Sequence, residues 1–202
     1  MNTHDGADAG EPPDWLAGEM PPGYQTRLLE IKRLSEDLEA MDRFGGLLWR
    51  VGEGLTDAVR DTFVALGFDA ERTPGSAAAV TVKLWDRRRL LLHVATTSKP
   101  VQKKSPELTD VFLILNELAE ETDRVVLVTN STPEARPSER TTPVGPEALD
   151  LLQRMAVNVM TGPSVFALWL LALDEKDRAR KLVERLHDQD GGVFQMPAAL
   201  PR

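Results

Sequence analysis

Apolar residues near the start of the chain recur at the spacing of an α-helix. In residues 24–41 they fall at steps of three or four with charged residues between them, which predicts an amphipathic helix. A second helix of this kind is predicted over residues 55–66, where Gly67 follows at the position of a left-handed C-cap. The first repeat consists of Leu28, Ile31, Leu34, Leu38 and Met41.

The next pattern changes from the period of a helix to the period of a strand. Val80, Val82 and Leu84 alternate with Thr81, Lys83 and Trp85, which is typical of a strand with two different faces. Within residues 90–95, Leu90, Leu91 and Leu92 are apolar at consecutive positions, as a central strand buried on both faces requires. A polar turn separates the two runs, so residues 78–95 are expected to form a β-hairpin.

Helices and strands alternate over the rest of the chain. A hairpin followed by such units predicts an α/β (α+β) fold, with a central mixed sheet of about four to five strands flanked by helices and an extra N-terminal helix. The predicted strands are residues 124–129 and 156–160, and the predicted helices are residues 105–121, 146–155, 162–173 and 174–187.

The polar ends of the chain suggest its division into segments. Residues 1–23 carry five acids, four prolines and no Lys or Arg, so we expect a disordered acidic tail. Within it Trp15 is either a docking motif or without a role. We assign residues 24–43 to an N-terminal helix that is a candidate for dimerisation, residues 44–190 to the main domain and residues 191–202 to a C-terminal tail.

Composition narrows the classes of function. Hydrophobic residues make up 42% of the 202 residues, enough for a folded core, and the absence of cysteine excludes disulfides, thiolate metal sites and cysteine nucleophiles. The N-terminal segment has no apolar run like that of a signal peptide, and the most apolar stretch, residues 165–173, is too short to span a bilayer. We therefore expect a soluble cytoplasmic protein without a membrane partner.

Charge is segregated along the chain. The net charge of −8 is unlike that of a protein that binds DNA over its whole surface. Residues 83–104, however, carry seven basic side chains and one acid, and residues 105–123 carry six acids and no base. A local cationic surface is therefore compatible with the acidic total.

Four stretches, taken in order, resemble the PD-(D/E)XK, or restriction-endonuclease-like, superfamily. Its Mrr-like and Holliday-resolvase-like branches are the most similar. The segment LGF closes a helix before the first strand, a hairpin follows, and the core strand RVVLVTN leads into a proline-rich loop with arginines. The resemblance spans most of the chain and rests on residues 48–71, 77–101, 124–140 and 146–169.

The resemblance implies a metal-dependent nuclease whose catalytic residues are missing here. In working members, an Asp on the first hairpin strand and a Glu-x-Lys on the second hold a divalent cation and activate water. At the matching positions this chain has Ala79, His93 and Ala95, and no carboxylate occurs between Glu71 and Asp86. We therefore expect a degenerate, inactive member with no catalytic residues, no metal and no cofactor.

Two loops carry candidate ligand-binding residues. The resemblance implies that the loop after the hairpin borders the active-site cleft, and hydroxyl and ammonium groups suit phosphate. Alternatively, this is a solvated loop whose hydroxyls cap the helix at Ser105, and the later loop with Arg140 is only a mobile surface segment. His93 is either a proton shuttle or phosphate contact, or a packed side chain bonded to backbone. The candidates are Thr97, Ser98, Lys99, Lys103, Lys104, Asn130 and Arg136.

Three functions are consistent with these features. The first is an inactive nuclease-fold protein that acts as a protein-binding or regulatory module, with a homodimer through the helix of residues 24–41. The second is a nucleic-acid- or nucleotide-binding domain that uses the degenerate cleft without cleavage. The third is a nuclease with migrated carboxylates, for instance Glu107 or Asp110. We rank them in this order.

Overall fold

The computed structural model describes residues 20–197 apart from 77, 96 and 141. The tail expected over residues 1–23 therefore lies almost wholly outside the described residues, as do Trp15 and residues 198–202. The chain divides into two units, Met1–Met41 and Asp42–Arg202.

The helix predicted over residues 24–41 is confirmed and is longer than expected. Helix α1 covers Tyr24–Gly45, and none of its residues is buried. The apolar residues of its repeat therefore do not pack in a core. A short 3-10 helix, Gly46–Leu48, follows and begins the buried part of the chain.

Six strands form one mixed sheet, in which spatial order equals chain order. β2 runs antiparallel to both of its neighbours, β1 and β3, whereas β3, β4, β5 and β6 run parallel to one another. The predicted hairpin and the mixed sheet are confirmed. The strands are β1 (Asp69–Arg72), β2 (Ala79–Lys83), β3 (Arg89–Val94), β4 (Arg124–Thr129), β5 (Asn158–Thr161) and β6 (Gly192–Val193).

The expected number of strands, four to five, is too low because two edge strands lack an apolar signal. β1 alternates between exposed and half-buried residues. β6 has only two residues and follows Gly191, whose positive φ of 82° turns the chain. Residues 191–202 were expected to be a tail, but Gly192 pairs with Asn158 of β5.

Helices cover both faces of the sheet in the second unit. Helices α3 and α4 pack on one face, and α2, α5 and α6 pack on the other. Within the described residues, none of the helices combines the length and the apolar character that crossing a bilayer requires. The helices after α1 are α2 (Gly52–Ala65), α3 (Pro106–Glu117), α4 (Pro146–Arg154), α5 (Gly162–Asp174) and α6 (Lys176–Asp188).

The alternation of side chains along β3 explains its continuous apolar run. Leu90, Leu92 and Val94 lie in the core under α2, α5 and α6. Leu91 packs in the core under α3 and α4. Because successive side chains of a strand point to opposite faces, His93 belongs to the α3–α4 face. The same alternation in β4 assigns Thr129 to this face.

Helix α5 begins in close contact with the chain that follows α1. A Cβ atom at Gly162 would lie well inside van der Waals contact of the Leu47 carbonyl oxygen and beside the side chain of Asn130. Only glycine leaves room for this approach. Gly162 therefore allows the parallel strands and the segment of Leu47 to pack at the same edge of the sheet.

We expect Gly162→Ala to lower the free energy of unfolding by about 1–3 kcal/mol, because the added methyl group forces the Leu47 backbone away. Urea denaturation followed by circular dichroism measures the change. Gly45→Ala is the matched control, since its Cβ meets no atom within 4 Å and its backbone is right-handed helical. Equal stability of the two variants would contradict the packing described here.

Candidate functional site

The three positions that the resemblance assigned to a catalytic motif come together at the β2–β3 hairpin. Ala79 lies directly opposite His93 in the antiparallel register, and Ala95 follows two residues later. All three are buried. Ala79 and Ala95 belong to the core cluster that includes Leu108 and Val111 of α3. Apolar packing therefore occupies the place where the resemblance implies metal-binding carboxylates.

His93 is packed beside the sheet, as one of the two interpretations expected, but it is not bonded to backbone. It is 2% exposed, and neither ring nitrogen has a hydrogen-bond partner within the described residues. Burial lowers the pKa of His93 below its ordinary value of 6.5, although the nearby charges of Asp110 and Glu107 oppose this change. The imidazole is therefore neutral at pH 7.

Two carboxylates of α3, those of Asp110 and Glu107, lie near His93. Asp110 Oδ2 lies 3.7 Å from His93 Nε2, and its side chain is half exposed. Glu107 is buried, and its Oε2 atom makes no hydrogen bond within the described residues. These are the residues that the migrated-carboxylate hypothesis names. Nevertheless, residues 20–197, apart from the three undescribed positions, contain no group of three or more His, Asp or Glu side chains placed to hold a metal ion.

Two of the predicted ligand side chains in the loop after β3, those of Thr97 and Lys103, are used in local contacts. Thr97 Oγ1 accepts a hydrogen bond from the Lys99 backbone N–H at 3.1 Å, and Lys103 Nζ lies 3.5 Å from a Glu147 carboxylate oxygen. The backbone carbonyl of Ser98 accepts a bond from the N–H of Thr132. Lys104 is exposed, and Thr96 lies outside the described residues. Ser105, at the N-cap position of α3, makes no side-chain capping bond, and the Thr97 hydroxyl is bonded within the loop, so neither of these two residues provides the expected cap.

A pocket of about 200 Å³ lies where β4 and β5 end. Asn130 is the predicted ligand residue that lines it. Arg136 is exposed and outside the lining, as are the predicted residues of the loop after β3. We call this cavity the Arg140 pocket; its lining residues are Thr129, Asn130, Ser131, Pro137, Arg140, Pro143, Thr161 and Pro163.

The Arg140 guanidinium is held by neutral acceptors. Its Nε donates to the carbonyl of Ala135 at 3.0 Å, and its Nη1 donates to the side-chain oxygen of Asn130. Its Nη2 donates to the carbonyls of Leu48 and Pro133. In the part of the chain that the structure describes, no carboxylate forms an ion pair with it. Burial lowers the pKa of Arg140, against the weaker effect of Glu134, but a guanidinium stays protonated.

Asn130 connects this loop to the segment after α1. Its Nδ2 donates to the carbonyls of Leu47, at 3.2 Å, and Arg50, at 2.8 Å. Together with Arg140, which reaches the Leu48 carbonyl, it satisfies three acceptors of one short segment. The sequence indicated Asn130 and Arg140 as loop residues, but it gave no sign of their hydrogen bonds to the carbonyls of Leu47, Leu48 and Arg50.

Sequence reasoning missed the hydroxyl groups of the pocket. Thr129 and Thr161 pair in the parallel register of β4 and β5, so their side chains share one face at the end of the sheet. Ser131 follows in the loop and is buried. The signal that could have found them is a polar residue at the carboxyl end of each of two apolar parallel strands, where ligand sites of such sheets occur.

Comparison of the chain with protein-family models, curated proteins and solved structures finds no match.

We expect the free energy of unfolding to fall as the pH is lowered from about 7 to about 5.5, because the unfolded state binds a proton at His93 more readily than the folded state does. Stability that depends on neutral His93 is present above the ordinary histidine pKa and is lost below it. Urea denaturation at several pH values measures the slope. His93→Leu should flatten it, and an unchanged slope would contradict a buried neutral imidazole.

Proposed function

We propose that this protein is a nuclease-fold protein that does not cleave, and that it acts as a binding module which pairs with a second copy of itself through α1. The observation that carries the proposal is the apolar repeat of α1, none of whose residues is buried. An exposed apolar stripe of this length is typical of a surface that another protein covers. The buried Ala79, His93 and Ala95 support the absence of cleavage, because they offer no carboxylate to a metal ion.

The apolar residues of α1 have the spacing of a two-helix interface. Ile31 and Leu38 occupy one heptad position, Leu34 and Met41 occupy the other, and all four are between 53% and 60% exposed. Two heptads make a short interface, so we expect association that depends on protein concentration. The stripe is separate from Leu29, which lies on the opposite side of the helix.

The charges of α1 favour a second copy in antiparallel orientation. Residues 24–34 carry three basic side chains and one acid, for a net charge of +2. Residues 36–41 carry three acids and no base, for a net charge of −3. Antiparallel pairing brings the basic half of one helix beside the acidic half of the other, whereas parallel pairing brings like charges together. A second copy of α1 is thus complementary in both apolar and charged positions.

Binding of nucleic acid is less well supported because acids neutralise much of the basic segment. Lys83 lies within 3.2 Å of carboxylate oxygens of both Asp69 and Glu71. Arg89 makes a bidentate pair with buried Asp123. Arg88 and Lys103 also have acidic partners, Asp188 and Glu147. We expect no retention of short duplex DNA at low salt, and no cleavage of it with Mg²⁺ or Mn²⁺.

We expect Leu34→Lys to abolish self-association, because it buries an ammonium group in the apolar stripe. Sedimentation velocity over a range of protein concentrations measures the change. Leu29→Lys is the matched control: it adds the same charge to a residue that is 68% exposed on the other side of α1, and should leave association intact. A wild-type protein that remains monomeric at every concentration would refute the proposal.

The orientation can be tested separately by cross-linking, since the chain has no cysteine of its own. In an antiparallel pair centred between them, Leu34 of one copy faces Leu38 of the other. We expect an equimolar mixture of Leu34→Cys and Leu38→Cys to form disulfide-linked dimers faster than either variant alone. Faster linkage within each single variant would indicate parallel pairing.

A further inference from the structure

We propose that the Arg140 pocket binds a small tetrahedral oxyanion, namely phosphate or the phosphate group of a small phosphomonoester. The pocket lies outside the carboxyl ends of β4 and β5, the edge at which ligands bind in sheets with parallel strands. Its volume of about 200 Å³ is below that of pockets for drug-sized ligands, so the group that enters it is small.

Thr129 supplies the observation that points to a ligand. Its side chain is fully buried and lines the pocket, yet its Oγ1 atom makes no hydrogen bond within the described residues. Buried hydroxyls almost always have a partner, because leaving one unsatisfied costs free energy. A ligand oxygen in the pocket would accept the bond that Thr129 cannot make internally. Asn130 is not available for this purpose, since both ends of its amide are already bonded.

Arg140 supplies the charge. Its guanidinium donates to four neutral acceptors, three backbone carbonyls and the side-chain oxygen of Asn130, and no described carboxylate forms an ion pair with it. Four hydrogen bonds use four of the five guanidinium N–H groups, which leaves one on Nη1. An anion in the pocket would balance this charge and accept the remaining bond. The loop bonds hold the guanidinium in place before any ligand arrives.

The N-terminus of α5 adds positive electrostatic potential to that of Arg140. Thr161 caps this helix of 13 residues by accepting the N–H of Ser164, and Pro163 lines the pocket. The positive end of the helix dipole therefore faces the region of Arg140 and favours negative charge there. The chemistry of the lining, two threonine hydroxyls and a serine hydroxyl beside a guanidinium, suits an acceptor with several oxygens rather than a neutral ligand.

Isothermal titration calorimetry of the full chain with inorganic phosphate tests the proposal, with Thr129→Val as the decisive variant. Valine keeps the shape of threonine and removes only the hydroxyl. Because this hydroxyl has no internal partner, the thermal midpoint without ligand should not fall. We expect the affinity for phosphate to drop about tenfold, the effect of one hydrogen bond to a charged group.

The matched control is Thr132→Val. Thr132 Oγ1 is also buried without a hydrogen-bond partner, but Thr132 is not part of the pocket lining. The affinity of this variant for phosphate should equal that of the wild type. No phosphate binding by the wild type, an unchanged affinity in Thr129→Val, or an equal loss in the control would each overturn the proposal.

Titration with adenosine monophosphate identifies the source of the anion. Tighter binding of the nucleotide than of phosphate, lost in the Thr129 variant, assigns the pocket to a nucleotide phosphate. Equal or weaker binding assigns it to the free anion. The Leu34→Lys variant should bind phosphate as the wild type does, so failure of the pocket and failure of self-association are read separately.

Discussion

The hydrogen bonds of Asn130 and Arg140 are the constraint on which the structure at the carboxyl ends of β4 and β5 depends. Two side chains of one loop donate to the carbonyls of Leu47, Leu48 and Arg50, in the segment that follows α1. Unsatisfied buried carbonyls would cost more than these bonds contribute. The loop is thereby fixed against the start of α5, where Gly162 leaves the room that the contact needs.

The β2–β3 hairpin and the Arg140 pocket are two separate places, although the sequence led us to assign their residues to one cleft. The degenerate motif of the β2–β3 hairpin is covered by α3 and filled by apolar packing and a neutral imidazole. The polar residues that line a pocket lie one and two strands further along, where β4 and β5 end. The same edge of the sheet therefore presents a polar pocket, although Ala79, His93 and Ala95 of the hairpin offer no carboxylate there.

The order of elements was predictable because burial leaves a strong periodic signal. The hairpin, the buried β3 and β4 and the amphipathic α1 follow directly from it. β1 and β6 were not predicted because an edge strand that faces water carries no apolar run. Asn130 was found as a polar residue after a core strand, but Thr129 and Thr161 were not. Thr129 and Thr161 meet because of the register between β4 and β5, two strands that begin 34 residues apart in the chain, and no local pattern encodes that register.

Helix α1 has a consequence for how the protein would behave on dilution. A helix of 22 residues that buries nothing receives no tertiary support, and isolated helices in water fray because their nucleation is costly. Its order must then come from its own sequence or from a partner. If the partner is a second copy, the ellipticity of the sample at 222 nm becomes a function of concentration, and folding of this segment and assembly of the protein are a single event.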